Sequence, residues 1–229
     1  MPETMEAALA DEHAGRRVVL FDFDGVLMHG DAFYLFVRER YARSLWRKGL
    51  ALLCAPLLLL LLPLSRRWPL HVLVRIALLG VGERRYQAAA DSFAATLARR
   101  PRQFCRDGLR SLRQHQALGD RVIVVTGCEH AVVSGILREL GLTGLEVLAS
   151  RLRAGWSGMR PAWHNVGRRK VQSLARHGVT AWQVAYGDSV YDVAMLKPAD
   201  EAVLVNGTPK LCKKVEKALG RTIRRVDWF

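Results

Sequence analysis

The stretch VVLFDFDG at residues 18–25 leaves this chain few folds to choose from. Its apolar run reads as a buried strand, and Gly25 permits a sharp exit. RVIVVTG at 121–127 reads as a second buried strand ending in Thr126 and Gly127. LEVLAS at 145–150 is a short strand, WQVAYGD at 182–188 a further one, and EAVLV at 201–205 the last. Helical patterns separate them. Asp31 is placed to N-cap a helix reaching about Arg43, residues 129–140 form a helix closed by Gly141, and residues 165–177 one closed by Gly178. Thr208, Pro209 and Gly220 give the last helix its cap, first residue and stop. Alternation of this kind predicts the α/β class, with a doubly wound, mostly parallel sheet.

The alternation is broken once. Residues 30–115 carry no strand signal, and Pro101 separates two helices expected at about 84–100 and 102–116. This segment is expected to be a helical cap, with residues 1–29 and 116–229 forming the core. Residues 151–161, with Gly155 and Gly158, are expected to form a turn or flap. Half of the residues are apolar, enough for a substantial core. The 35 basic residues against 21 acidic ones predict an anionic partner: nucleic acid, anionic lipid or a phosphorylated substrate. No basic module interleaved with aromatics is present, so nucleic acid is not expected. The cysteines, Cys54, Cys105, Cys128 and Cys212, form no CxxC pair, which argues against zinc and against a disulfide framework. Residues 1–15 are polar and acidic, unlike a secretory signal, and read as a loose or short helical tail.

In open parallel sheets, ligands bind beyond the carboxyl ends of the strands. There the sequence puts Asp22 and Asp24, Thr126, and Asp188 with Asp192. Crowded carboxylates repel unless a cation sits among them, and magnesium, with its preference for oxygen, meets that need. Asp22 is then suited to attack phosphorus, and Asp24 to protonate the leaving alkoxide and deprotonate water. Thr126 and Gly127, with nearby N–H groups, are suited to hold phosphate oxygens, and Lys170 to offer a fixed positive charge. Taken singly, Asp24 is equally a turn residue, Thr126 a helix cap and Lys170 a solvated helix residue. Their ordered occurrence at strand ends favours the chemical reading.

FDFDGVL at 21–27, VIVVTG at 122–127, Lys170 and YGDSVYDVAML at 186–196 resemble the four motifs of the haloacid dehalogenase superfamily. The resemblance implies a Rossmann-like core with a C1 cap inserted after the first strand, and Mg2+ as cofactor. It makes Asp22 nucleophile and metal ligand, and Asp24 acid/base, giving the metal its backbone carbonyl. Asp188 becomes a metal ligand, and Asp192 lies in the metal shell or just behind it. Superfamily members lacking the second aspartate are not phosphatases, so Asp24 favours phosphomonoester hydrolysis. Val26 stands where Thr is common, a substitution the family accepts.

Residues 30–115 hold 16 Arg or Lys against 5 Asp or Glu, so most of the net charge of +14 lies there. Residues 49–64, GLALLCAPLLLLLLPL, are uncharged, with Arg47 and Lys48 before them, Arg66 and Arg67 after, and Trp46 and Trp68 at either side. The run is shorter than the ~20 residues of a spanning helix. A single crossing would also put Asp22 across the membrane from Thr126, Lys170 and Asp188. A hairpin dipping into one leaflet, or an interfacial helix, is expected instead; cap core or a dimer contact is the alternative. Over its whole length the chain is similar to bacterial IB-type haloacid dehalogenase hydrolases. Among them it resembles the C-type phosphatidylglycerophosphatases, in Asp31 with Phe33, the Leu/Pro-rich run, Arg67-Trp68-Pro69 and YGDS. That resemblance implies hydrolysis of phosphatidylglycerophosphate at the cytoplasmic face of the inner membrane. A soluble small-metabolite phosphatase of phosphoserine phosphatase type is the other reading. The oligomeric state is not legible.

Several residues stand near these motifs without a clear task. His29 follows the nucleophile loop, and Trp163 and His164 precede Lys170; each is a candidate for substrate contact. Cys128, near a helix N-terminus, is a candidate for a lowered pKa but is expected to pack, beside His130. Arg168 and Arg169 read as a solvated face.

Overall fold

The computed structural model describes residues 15–63 and 67–229. Apart from Gly15, the tail expected over residues 1–15 lies outside the described residues, as do Leu64 and Arg66. Seven strands form one sheet in the order β4-β3-β2-β1-β5-β6-β7. They are β1 (Val18–Phe21), β2 (Arg121–Glu129), β3 (Glu146–Arg153), β4 (Arg160–Trp163), β5 (Val184–Gly187), β6 (Glu201–Val205) and β7 (Arg224–Val226). Every pairing is parallel except β3 with β4. The fold is the mixed α/β, doubly wound, Rossmann-like one expected.

Two strands are additions to the sequence reading. β3 runs on to Arg153 and turns back as β4, so the expected flap is a short antiparallel hairpin. β4 reads RPAW, whose proline and arginine suit only an edge. β7 is a three-residue edge strand with two exposed arginines. Neither shows the apolar run by which the central strands announce themselves.

The helices are α1 (Ala32–Ala42), α2 (Leu45–Leu61), α3 (Arg67–Ala77), α4 (Glu83–Ala98), α5 (Arg106–Ala117), α6 (His130–Glu139), α7 (Arg168–Arg176), the single turn α8 (Val193–Leu196) and α9 (Pro209–Leu219). Their ends follow the capping chemistry read from sequence. Asp31 Oδ1 accepts from Tyr34 N at 2.8 Å. Thr208 caps α9, which stops at Gly220 in a left-handed conformation (φ 74°). One face of the sheet, with Val19, Phe21, Val122, Val124 and Tyr186, packs on α4, α5 and α6. The other, with Leu20, Ile123, Val125 and Leu204, packs on α7, α8 and α9.

Helices α1 to α5 all fall between β1 and β2. They do not form a separate body. Phe36, Tyr86 and Phe93 belong to the same apolar cluster as the first sheet face, and Leu109 and Leu112 of α5 lie in it beside Val122 and Val124. Only α2 stands apart. Its single buried side chain is Leu58. Leu45, Leu52, Leu53, Leu57, Leu59 and Leu60 are each at least 60% exposed. The leucine run is therefore not the interior of the insert. No single helix among the described residues is long and apolar enough to cross a membrane; α1 and α2 pass that test together but are bent by 106°.

Candidate active site

Strands β2, β1 and β5 are neighbours, so their carboxyl ends open side by side. In the register, Phe21 pairs with Val124 on one side and Tyr186 on the other. Asp22 is thereby set beside Thr126, in the irregular end of β2, and the Asp188 turn. The Asp22 backbone extends the ladder by one bond, its N–H donating to Tyr186 O at 3.0 Å.

Asp22 is 7% exposed. Its Oδ1 accepts from Phe23 N at 2.7 Å, and its Oδ2 lies 2.8 Å from Lys170 Nζ. Lys170, on α7 and 2% exposed, also donates to Asp192 Oδ1 at 2.6 Å. The other oxygen of Asp192 accepts from Asp188 N (3.2 Å), Ser189 N (3.1 Å) and Ser189 Oγ (2.7 Å), closing a capping box on the turn after β5. Lys170 thus ties the nucleophile candidate to the β5 turn from the opposite sheet face. Carboxylate oxygens of Asp22, Asp188 and Asp192 lie within 4.8 Å of one another. The carboxylate of Asp24 is outside that set: its Oδ1 accepts from Ala32 N at 2.8 Å, at the start of α1.

Two glycines permit this crowding. A Cβ on Gly25 (φ 79°) would lie 1.9 Å from Asp188 Oδ2, and one on Gly187 would lie 2.6 Å from Asp192 Cβ. The electrostatics are unbalanced. Four carboxylates share one lysine. Burial and then Asp192 raise the Asp22 pKa well above the usual carboxylate range. Burial, then Asp31, pushes Asp24 up to about 7, and burial, then Asp192, pushes Asp188 up to about 6. Burial works against the charges of Lys170 and Asp192, but it is outweighed: Asp22 and Asp192 hold the Lys170 pKa up, and Lys170 holds that of Asp192 down. An all-oxygen donor set with excess negative charge is what a hard divalent cation such as Mg2+ requires. The residues present fit that ion.

Thr126 is fully buried, and its Oγ1 accepts from Cys128 N at 3.0 Å. The carbonyls of this irregular end of β2 are fastened by side chains from neighbouring segments. Asn165 Nδ2 donates to Thr126 O at 3.2 Å and to Leu148 O at 2.8 Å, and Ser150 Oγ donates to Gly127 O at 2.7 Å. Asn165 and Ser150 were not singled out from the sequence. By sequence Asn165 opens a helix and Ser150 ends a strand, and nothing in their spacing points at the end of β2 that they hold. Glu129 is a third such residue: it caps α6 and accepts a short hydrogen bond from Tyr86 of α4, fastening the insert to the end of β2.

The remaining candidates fall into place around this centre. The Cys128 pKa is pushed well up, not down, by burial and by Asp24, so its thiol packs. His29 lies exposed, exchanging backbone and side-chain bonds with Gln103. His164 Nδ1 is 3.4 Å from Ser150 Oγ. Trp163 stacks under Arg169 and Arg176 on the outer side of α7.

The model of the haloacid dehalogenase-like hydrolases matches residues 19–197 of the sequence. The sequence matches no curated protein. Among solved structures, a protein with unknown function from Bordetella pertussis Tohama I is similar at TM-score 0.68 and 19% identity, over 91% of this chain and 98% of that one. A substrate-bound phosphoserine phosphatase is similar at TM-score 0.55 and 17% identity, over 93% and 94%. A phosphoserine phosphohydrolase-like protein from Francisella tularensis is similar at 0.59 and 13%, over 92% and 94%. At these identities the structures speak for the fold. The matched motifs span the centre just described, and the chain belongs to the haloacid dehalogenase-like hydrolase family.

Proposed function

We propose that this hydrolase is a magnesium-dependent phosphomonoesterase working through an aspartyl-phosphate on Asp22. The observation that carries the reading is the clustering of the Asp22, Asp188 and Asp192 carboxylates, with Lys170 paired to Asp22 and to Asp192. Asp22, held by Phe23 N and Lys170, attacks phosphorus as the ester P–O bond breaks. Asp24 gives its proton to the departing alkoxide. In the second half, water attacks phosphorus, Asp24 takes its proton, and the bond to Asp22 breaks to release phosphate. Lys170 works against the burial that raises the Asp22 pKa and opposes the charge of the phosphoryl group. Thr126 and Gly127, held by Asn165 and Ser150, offer donors to the phosphoryl oxygens. Asp22, Asp188, Asp192 and the Asp24 carbonyl would hold Mg2+. When bound, the ion neutralises and orients the phosphate. Names of similar structures support the reading: one is a phospho-aspartyl intermediate analogue of phosphoserine phosphatase, at TM-score 0.54 and 18% identity.

We take residues 30–115 as the cap, with α5 rooting it against the sheet. The preferred substrate is a lipid monoester, phosphatidylglycerophosphate, giving phosphatidylglycerol. The exposed leucines of α2, with Trp46 and Trp68 at its flanks, support a monotopic attachment to the cytoplasmic face of an anionic membrane. A soluble monoester of phosphoserine type is the second reading, favoured by the phosphoserine phosphatases among the similar folds. The test is magnesium-dependent phosphate release from phosphatidylglycerophosphate in mixed micelles beside a panel of soluble monoesters. A strong preference for the lipid supports the first reading. A strong preference for a soluble ester overturns it and leaves the chemistry of Asp22 standing.

A further inference from the structure

Between Glu39 and Glu83, the stretch that holds α2 and α3, lie seven basic residues and no acidic one. Between Glu146 and Asp188 there are again seven basic residues and none acidic. In the second stretch all but Lys170 are exposed. The fold brings the two stretches together. From α3, the Arg75 guanidinium donates to Met159 O at 2.9 Å and to Ser157 Oγ at 2.7 Å, both in the β3–β4 turn. Gly80 N donates to Ser157 O at 3.1 Å. Gly158 (φ 114°) approaches so closely that a Cβ there would lie 2.2 Å from Leu78 O. The β3–β4 turn therefore rests on the root of the α2–α3 hairpin, where Arg47 also donates to Leu79 O.

That root carries unmet polar groups. Among the described residues, the buried side-chain nitrogens and oxygens without a hydrogen-bond partner are Arg40 Nε, Ser44 Oγ and Arg47 Nε. They sit together where α1 bends into α2. The nearby carboxylate, Glu39, is taken by Arg43 at 2.7 Å and Arg100 at 3.8 Å. Unpartnered buried donors are costly, and adjacent guanidiniums repel, so an anion that accepts from all three relieves both. Each of the two elements carries an exposed tryptophan: Trp46, 53% exposed, in the first turn of α2, and Trp156 at the tip of the β3–β4 turn, 100% exposed.

We propose that the hairpin root and the β3–β4 turn form one docking surface for an anionic phospholipid bilayer, separate from the catalytic centre. In it Arg40, Ser44 and Arg47 take a headgroup phosphate, and Trp156 enters the headgroup layer. The inference rests on the membrane reading above and adds a headgroup site and a second point of contact. Charge chooses the partner's sign, and the adjoining leucines choose lipid over a polyanion, which would leave them in water. With Arg75 bolting turn to hairpin, the bilayer would hold both against the sheet as one body.

The test is flotation of the full chain with vesicles of phosphatidylcholine alone, and with phosphatidylserine added, an anionic diester that this chemistry does not hydrolyse. The variants are R40Q/R47Q, W156A and L52N/L53N/L57N. Wild type is expected to prefer the anionic vesicles. R40Q/R47Q should lose roughly 20- to 30-fold of that preference, at about fivefold per basic residue near the surface. W156A should weaken binding to both vesicles, and the leucine variant should abolish it. All should hydrolyse a soluble monoester as wild type does, which reports folding. If R40Q/R47Q loses that hydrolysis, the wholly exposed Trp156 decides the matter through W156A. If R40Q/R47Q and W156A bind like wild type while the leucine variant is lost, this surface is overturned and the membrane reading survives. If wild type floats with neither vesicle, both fall.

Discussion

At the carboxyl ends of β1, β2 and β5, the buried polar side chains are partnered: Asp22 with Lys170, Asp192 with Lys170 and Ser189, Asn165 with two carbonyls. At the bend between α1 and α2 the reverse holds. Arg40, Ser44 and Arg47 keep buried atoms without partners, and the leucines that follow face outward. The first region is internally complete but for its excess of negative charge, which a small cation can cancel. The second leaves its charge and its apolar surface uncovered among the described residues. On the proposed reading the difference separates chemistry from targeting: the sheet ends would hold a reaction open to any monoester, and the insert would supply the surface on which one class of monoester is met.

The largest effect belongs to the complete region. Asp22→Asn should lower phosphate release by on the order of 10⁴-fold or more, the scale for removing a nucleophile, with an unchanged circular dichroism spectrum; wild-type turnover would end the assignment. Lys170→Met should strip turnover and destabilise as well, by about 3–5 kcal/mol, because it leaves Asp22 and Asp192 buried without a cation. Urea titration measures that loss. A cost near zero would mean that the two carboxylates share a proton and need no lysine.

Within the insert, two substitutions sharpen the contrast. Phe36, 1% exposed and edge-on to Tyr86 and Phe93, should cost about 3–5 kcal/mol when cut to Ala. Leu53, 78% exposed one helix away, should cost no more than about 0.5 kcal/mol when changed to Asn. Equal costs in thermal or urea unfolding would show that α2 packs on something within the chain. Asn165→Ala should lower turnover by roughly 10- to 100-fold, about 1–3 kcal/mol for the Thr126 and Leu148 carbonyls left unheld. A rise in KM for the phosphate group, with folding intact, distinguishes this positioning role from a general loss of stability.

The smallest effect is electrostatic. Burial raises the Glu146 carboxyl, but its bidentate pair with Arg121, at 2.7 Å for both bonds, and its contact with His177 at 2.9 Å together more than reverse this and hold its pKa below the usual range. A depressed carboxyl contributes stability above its unfolded pKa and loses it as pH falls through the folded one. Glu146→Gln should therefore narrow the stability gap between pH 7 and about pH 3 by less than about 1 kcal/mol. A variant that keeps the full acid-limb slope would assign that slope to other carboxylates.

Much of the complete region was legible in the sequence, because its elements are local. A buried strand writes itself as an apolar run, and Asp22, Thr126 and Asp188 follow such runs at once. Caps such as Asp31 and Thr208 act within three residues. What escaped acts at a distance or lies at an edge. β4 and β7 are short, arginine-bearing edge strands. Asn165 reaches back 39 positions to Thr126 O, and no periodicity records that reach. In the insert, the sequence marked the leucine run as unusual but left cap core and surface both open. Only packing, with Leu58 alone turned inward, decides between them.

An aspartyl-phosphate on Asp22 can be trapped as a covalent intermediate. Wild-type protein with magnesium and a monoester labelled in its phosphoryl group is quenched in acid within the first turnovers, and the labelled peptide is identified by mass spectrometry. Label is expected on Asp22, dependent on magnesium and absent from Asp22→Asn. Label on another residue, or undiminished turnover by Asp22→Asn, would contradict that assignment.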